Sequence, residues 1–366
     1  MPWLSDNLLR RLQNVTDAPD LGATKYRLLE KFATGGMGTI YLAEDTQLQR
    51  RVALKVLHAS DTSGELARRM LREARVLARL EHPGLVPVHD VGELPDGRVF
   101  YVMKLVQGRR LDEYARHEHE LPERLRLFQK ICEAVAFAHS HQVLHRDLKP
   151  ENIMVGAFGE VLVMDWGLAK VLEPKTESAE HGASAEDRES WMVNRRANNQ
   201  PPATSLQQRA SSNQTQHGTI MGTPAYMSPE QKRGEIEQLD QRTDVYALGV
   251  ILAFLLRADE VGLAPNGVKS APESYRASPP SPTRRVPKQL RAICTKATAE
   301  DKSQRYETAQ ALAADIERFL NGLAVTSYEE NPFEKLWRWM KKFQFMILLV
   351  FVYLLVRVLL FFWLRP

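Results

Sequence analysis

The hydrophobic pattern changes period along the chain and divides it into unlike parts. Between Tyr26 and Val106 short apolar runs dominate. Val52-Ala-Leu-Lys-Val-Leu57 and Val99-Phe-Tyr-Val-Met103 read as strands. One helix interrupts them: Leu66, Met70, Glu73, Leu77 and Leu80 recur in steps of 4, 3, 4 and 3, and Thr62-Ser-Gly-Glu65 ahead of them has the form of a capping box. Leu121 to Gln142 reads as a longer helix with Leu125, Phe128, Cys132, Val135 and His139 near one stripe. Two short strands follow, Ile153-Met-Val155 and Val161-Leu-Val-Met164. Beyond Pro229 the pattern is mainly helical and ends with Ala309 to Leu320. The expectation is a mostly β lobe joined to a mostly α lobe.

Three stretches break this pattern. Residues 1–24 hold only Leu4, Leu8 and Leu12 at helical spacing, with Ser5 and Asp6 as caps. They read as a short docking helix or a frayed arm, and they lack the apolar core and cleavage site of a secretory signal. Residues 175–217 contain Trp191, Met192, Val193 and Leu206 as their only large apolar side chains. Such a segment cannot bury enough surface to offset its ordering entropy, so a disordered insertion is expected. Asp259 to Arg285, with its Ser-Pro-Pro-Ser-Pro, reads as a loose link between helices.

Composition narrows the choices. With 44% hydrophobic and 26% charged residues the chain is ordinary globular material. Two cysteines, Cys132 and Cys294, supply neither a disulfide framework nor a zinc cluster, which suits a reducing compartment. The net charge is +4, but the segment from Asn331 onward alone carries +5, leaving about −1 for residues 1–330. The main body therefore lacks the basic surplus of a nucleic-acid binder, and no nucleic-acid partner is expected.

Candidate chemistry sits in the two lobes. Ala33-Thr-Gly-Gly-Met-Gly-Thr-Ile-Tyr41 is a glycine-rich hairpin, a backbone that can approach phosphates closely. Lys55 lies in an otherwise buried strand and needs an anion, unless the strand is an edge from which it reaches water. Glu73, a carboxylate on the apolar face of the following helix, is its expected partner, the other possibility being a helix rotated to expose it. His145-Arg-Asp-Leu-Lys-Pro-Glu-Asn152 and Asp165-Trp-Gly167 place Asp147, Lys149, Asn152 and Asp165 on loops at strand ends. There Asp147 could accept a hydroxyl proton, Asn152 and Asp165 could offer hard oxygens to magnesium, and Lys149 could neutralise a phosphoryl group.

In this order the motifs resemble the protein kinase family, specifically its serine/threonine branch, and the Gly-Gly-Met-Gly loop is most similar to bacterial receptor-type kinases. The resemblance runs through Gly222-Thr-Pro-Ala-Tyr-Met-Ser-Pro-Glu230, Asp244-Val-Tyr-Ala-Leu-Gly249 and Asp301-Lys-Ser-Gln-Arg-Tyr306, and covers about residues 25–325. It implies an α+β, bilobal protein-kinase fold, with an N-lobe over 25–106 and a C-lobe over 107–325. It also implies the roles. Lys55, paired with Glu73, would hold the α and β phosphates of ATP, and Asp147 would be the base. Lys149 with Thr223 would favour protein serine or threonine as substrate, and Asn152 and Asp165 would hold Mg²⁺. Ala33, Thr34, Gly35, Gly36, Met37, Gly38 and Ile40 would cover the nucleotide. Ala53 and the gatekeeper Met103 would line the adenine, with the hinge from Lys104 to Val106. Glu230 would pair with Arg305, and Asp244 would brace the catalytic loop. Arg146 would clamp a phosphorylated residue of the activation segment, Thr219 first, with Thr215, Ser211 and Ser212 behind it.

The chain departs from the family pattern at Ala33 (for glycine), Trp166 (for the phenylalanine of D-F-G), Ser228 (for alanine) and Lys302 (for proline). None removes a charged group of the reaction. Ala33 and Trp166 are the hints for the alternative, a catalytically weak or inactive pseudokinase acting as a membrane scaffold.

The tail completes the reading. Residues 326–342 form a basic juxtamembrane linker, and 343–364 a transmembrane helix. Phe345 to Leu364 is 20 residues, apolar except for Arg357, and 20 helical residues span about 30 Å. Trp337, Trp339 and Trp363 stand as interfacial anchors, and Lys335, Arg338, Lys341 and Lys342 place the kinase side in the cytosol. The expected location is the cytoplasmic (inner) membrane, single-pass, with possible self-association and autophosphorylation between neighbours. The competing reading is a helix lying in the interface or docked on a partner. Only two residues follow the apolar run, so no extracellular sensor is expected on this chain.

Overall fold

The computed structural model describes residues 18–35, 38–58, 64–117, 119–167, 169–171, 223–256 and 286–363. The expectations for residues 1–17, the 175–217 insertion and the 259–285 link lie outside them, as do Gly36, Met37, Thr219, Thr215, Ser211 and Ser212.

The first lobe is a five-stranded antiparallel sheet in the order β1-β2-β3-β5-β4 with one helix. Its elements are β1 (Tyr26–Thr34), β2 (Gly38–Asp45), β3 (Arg50–Leu57), α1 (Glu65–Arg79), β4 (Val88–Glu93) and β5 (Val99–Lys104). β3 is central, so Lys55 is not on an edge. Its register puts it between Ile40 of β2 and Tyr101 of β5. Period 2 gives β3 two apolar faces. Val52, Leu54 and Val56 join Tyr26, Tyr41, Phe100 and Val102 on one side. Ala53 and Leu57 pack on the other with Met70 and Ala74 of α1. Thr62 and Ser63 of the expected capping box lie outside the described residues. α1 starts at Glu65 behind Gly64, which takes the left-handed conformation (φ 66), and no side chain of a described residue caps it. The predicted inward stripe holds, with Met70, Glu73, Leu77 and Leu80 buried.

The second lobe starts with β6 (Arg109–Arg110), α2 (Leu111–Tyr114) and α3 (Leu121–Ser140). Short strands follow: β7 (Val143–Leu144), β8 (Ile153–Val155), β9 (Val161–Val163) and β10 (Lys170–Val171). They form two small sheets, β6-β8-β9 and β10-β7. Then come α4 (Pro229–Lys232), α5 (Gln241–Leu255), α6 (Lys288–Ala297) and α7 (Ala309–Leu320). The whole stripe predicted on α3 is buried. α5 is buried on nearly every face, including Asp244 near its start, which is why its apolar pattern shows little period. A Cβ at Gly249 would meet Ala297 Cβ at 2.7 Å, so the glycine lets α5 and α6 touch. The lobes meet through Gly84, whose carbonyl accepts the Val163 N–H at 2.9 Å.

The expected linker at 326–342 is partly helical: α8 runs Pro332–Lys342 and α9 Gln344–Trp363. Counted over the described residues, no helix is long and apolar enough to cross a membrane.

Candidate active site

Lys55 Nζ donates to both carboxylate oxygens of Glu73 at 3.0 Å, and the pair is nearly dry, with side-chain exposures of 12% and 1%. A third residue completes it. The Tyr101 hydroxyl donates to Glu73 Oε1 at 2.9 Å, and its ring lies 5.5 Å from the ammonium. Burial pushes the Tyr101 phenol well above its usual range, and the charge of Glu73 adds to the effect, so it stays a donor. The helical stripe places Glu73 inward, and the strand register places Tyr101 beside Lys55. Sequence reading missed Tyr101 because it is one more aromatic in a strand, and only the register reveals it.

In the second lobe a loop follows β7. Asp147 Oδ2 accepts from Lys149 Nζ at 2.8 Å, and its Oδ1 accepts from the Thr223 N–H at 3.0 Å and hydroxyl at 3.2 Å. Lys149 Nζ also donates to Thr223 Oγ1 at 2.8 Å. The Asn152 amide donates to the Asp147 carbonyl at 2.9 Å. That fixes the amide and turns its oxygen the other way. Asp165 is exposed just beyond β9, and its charge reaches Tyr101. The two halves therefore face one another.

Two hard oxygens, from Asn152 and Asp165, suit magnesium, which keeps several waters and takes few protein ligands. Among the described residues no cluster of three or more His, Cys, Asp or Glu could hold a metal by itself. The donor set thus fits Mg²⁺ and not a closed structural metal site.

The loop rests on a buried anchor. Asp244 accepts from the backbone N–H of His145 and of Arg146, both at 2.9 Å, and contacts His139 Nε2 at 2.8 Å. Burial pushes the Asp244 carboxyl up, yet His139, His145 and the Arg146 amide hold it below its usual value. Arg146 and Asp165 both have left-handed backbones (φ 71 and 58), at a cost of about 1–2 kcal/mol each. The sequence carries no signal for that strain. Trp166 is 1% exposed, packs on His145 in a tilted ring pair with 4.5 Å between centroids, and donates Nε1–H to the Val163 carbonyl at 3.4 Å. Its indole is a core element. Farther off, Arg305 reaches Glu230 through Nη1 at 2.7 Å and Nη2 at 2.8 Å, both residues buried.

Of the residues expected around the nucleotide, Ala53, Met103, Ile40 and Val106 share one apolar cluster with Leu162 and Met154. The last two lie on β9 and β8, and nothing in their strand pattern marks them for this cluster. Lys104 is exposed, and its N–H donates to the Pro87 carbonyl at 3.0 Å. Ala33 and Thr34 end β1 and are exposed. Gly35 N–H donates to the Gly38 carbonyl at 2.9 Å, and a Cβ at Gly38 would meet the Val56 carbonyl oxygen at 2.4 Å. Glycine at 38 is thus required by close approach to β3.

Comparison with known proteins bears on the family. The protein kinase domain family matches residues 26–192. The serine/threonine-protein kinase PknD of Chlamydia abortus is 36% identical over 313 residues, covering 81% of this chain and 31% of that protein. PknD of Chlamydia trachomatis serovar L2b is 37% identical over 321 residues, covering 81% and 32%. The chain therefore spans about a third of the length of these relatives. The crystal structure of the Mycobacterium tuberculosis PknI kinase domain superposes with a TM-score of 0.52 at 23% identity, covering 82% of this chain and 97% of that one, a likeness of fold. With the sheet-rich lobe, the helical lobe and the motif order in agreement, the chain carries a protein kinase domain and belongs to the protein kinase family.

Proposed function

We propose that the chain is a serine/threonine protein kinase that transfers the γ-phosphoryl group of ATP, with Mg²⁺, to protein hydroxyls. The observation that carries this reading is the simultaneous assembly of both halves of the site. Lys55 is already paired with Glu73, and Asp147 is already held by Lys149 and Thr223. Preorganised charge is the main contribution a protein makes to phosphoryl transfer.

In this reading Lys55 holds the α and β phosphates. Asp147 orients the incoming hydroxyl and takes its proton. Lys149 lies close enough to offset charge on the transferred group. Thr223, by holding Asp147 and Lys149 together, shapes the entry for a serine or threonine side chain. Mg²⁺, held by Asn152 and Asp165, would supply charge neutralisation at the phosphates. Ile40, Ala53, Met103 and Val106 offer the apolar surface an adenine ring needs, with the hinge backbone at Lys104. The decisive experiment incubates the natural chain and Asp147→Asn with labelled ATP and Mg²⁺. Equal incorporation by the two would reject the enzyme and leave the scaffold reading.

Regulation is part of the same proposal. The Arg146 Nε is buried and has no hydrogen-bond partner among the described residues. Burial pushes the guanidinium below its ordinary value against the pull of Asp244, and Arg69 adds to the shift. An anion would relieve that, and a phosphate on Thr219, placed by a neighbouring copy, would supply about −1.5 to −2 charges. Undiminished transfer by Thr219→Ala would reject this site; Thr215 is the next candidate.

The tail is read as a single-pass anchor in the cytoplasmic membrane. The support is the apolar sequence of α9 and the exposure of Phe345, Leu349, Phe351 and Leu354 along it. Apolar surface on that scale is costly in water. Retention in the membrane pellet after alkaline carbonate washing is expected, and release into the supernatant would reject insertion.

A further inference from the structure

α8 carries a second surface that neither the catalytic site nor the apolar run of α9 uses. Phe333, Leu336, Trp337 and Met340 recur at i, i+3, i+4 and i+7. That spacing puts them on one side of a helix. Phe333 is 84% exposed, Leu336 54% and Met340 40%, so the kinase domain does not cover this face. The same spacing assigns Lys335, Arg338 and Lys342 to the opposite side and Lys341 to the margin of the apolar one.

The one acid of the tail, Glu334, is turned inward. It accepts from the Tyr328 hydroxyl at 3.0 Å and the Asn331 N–H at 3.2 Å, and meets Lys288 of α6 at 3.5 Å. The sequence of the helix thus combines an apolar stripe with four basic residues against one acid. That combination fits an anionic lipid surface.

The neighbouring chain points to the same occupant. α8 stops at Lys342 and α9 starts at Gln344, with Phe343 between them in a turn, so the two helices can take different directions. On the other side, Asp315 of α7 is fully buried. It accepts from the Tyr306 hydroxyl at 2.8 Å, the Thr326 N–H at 2.9 Å and hydroxyl at 2.7 Å, and the Ser327 N–H at 3.2 Å. The lead-in to α8 is thereby fastened to the second lobe.

We infer that α8 lies flat in the anionic cytoplasmic leaflet, its Phe333–Met340 face in the acyl boundary. Through the Asp315 and Glu334 contacts it holds the kinase domain at a set orientation to the membrane. This rests on the anchor reading of α9 but differs from it: a flexible basic linker would tether without orienting.

The test uses the full chain in lipid nanodiscs, with one spin label at a time. Cys132 and Cys294 are buried, and burial pushes both thiols up, Cys294 to about 12, so they remain unlabelled in the folded protein. Labels at Leu336→Cys, Lys335→Cys and Leu354→Cys are compared for collision with an aqueous nickel chelate. The discs are phosphatidylcholine alone or phosphatidylcholine with phosphatidylglycerol. The expected result in discs with phosphatidylglycerol is loss of chelate access at 336, retained access at 335 and none at 354. In neutral discs access at 336 returns. Equal access at 335 and 336 in anionic discs, with 354 shielded, would overturn the flat helix and leave the anchor standing. Loss at 336 in both lipids would overturn the anionic preference. Open access at 354 would overturn the anchor itself.

Discussion

At Asp147 four groups converge on one side chain: the Lys149 ammonium, the Thr223 amide and hydroxyl, and the Asn152 amide. Asp147→Asn keeps the shape but removes the charge and the proton acceptor. Transfer from labelled ATP is expected to fall about 10²–10⁴-fold while the unfolding midpoint changes little. Tyr101→Phe tests the missed residue. It removes the hydroxyl that holds Glu73 at 2.9 Å, which contributes about 1–3 kcal/mol when the acceptor is charged. A several-fold loss of transfer is expected, with Lys55 and Glu73 untouched in sequence; an unchanged rate would show that Lys55 alone holds the carboxylate.

Between elements, close packing sets the tolerance. α5 approaches α6 at Gly249, where an added methyl meets Ala297 Cβ at 2.7 Å and the Ala297 carbonyl carbon at 3.2 Å. Gly249→Ala must part the helices, so its overpacking is expected to cost about 1–3 kcal/mol in denaturant titration, despite alanine's better helix propensity. Trp166 tests the opposite change. Its indole fills the core beside His145, so Trp166→Phe restores the common family residue and leaves a void. A destabilisation of about 1–3 kcal/mol is expected. A gain in stability would mean that the surrounding side chains were never packed to fit an indole.

For the molecule as a whole, three buried carboxylates join distant segments. Burial pushes each upward, but hydrogen bonds from partners prevail. Glu230 is held below its usual range by Arg305, Asp244 by His139, and Asp315 by the Thr326 amide and hydroxyl and by Tyr306. A lowered folded value means that the unfolded chain binds protons first as pH falls. The stability these groups contribute is complete above the unfolded carboxylate values, about 3.9 for Asp and 4.3 for Glu. It is lost as pH drops below them through the folded values. Acid unfolding should therefore begin below about pH 4, and Asp315→Asn should flatten the slope of stability against pH there. Arg305→Ala would leave Glu230 buried and unpaired, an expected loss of about 3–5 kcal/mol at neutral pH in thermal or denaturant unfolding.

Amino-acid order alone determined the division into a strand-rich and a helix-rich lobe, because period 2 and period 3.6 follow from local backbone geometry. It also put Glu73 in the apolar stripe of α1, although only the packed fold shows that stripe turned inward, and it grouped Asp147, Lys149 and Asn152 within one short loop. Tertiary structure alone decided which groups from far apart in the chain touch. Tyr101 reaches Glu73 only because β5 pairs with β3 in one register. Thr223 reaches Asp147 across 76 positions, and Asp244 supports a loop 98 residues earlier. It also decided the start of α1 at Glu65 behind Gly64, and the helix at 332–342 in what reads as a linker. Side-chain chemistry and local periodicity are written residue by residue. Contact across the fold depends on register, on close approach at Gly38 and Gly249, and on strained backbone at Arg146 and Asp165, none of which leaves a periodic trace.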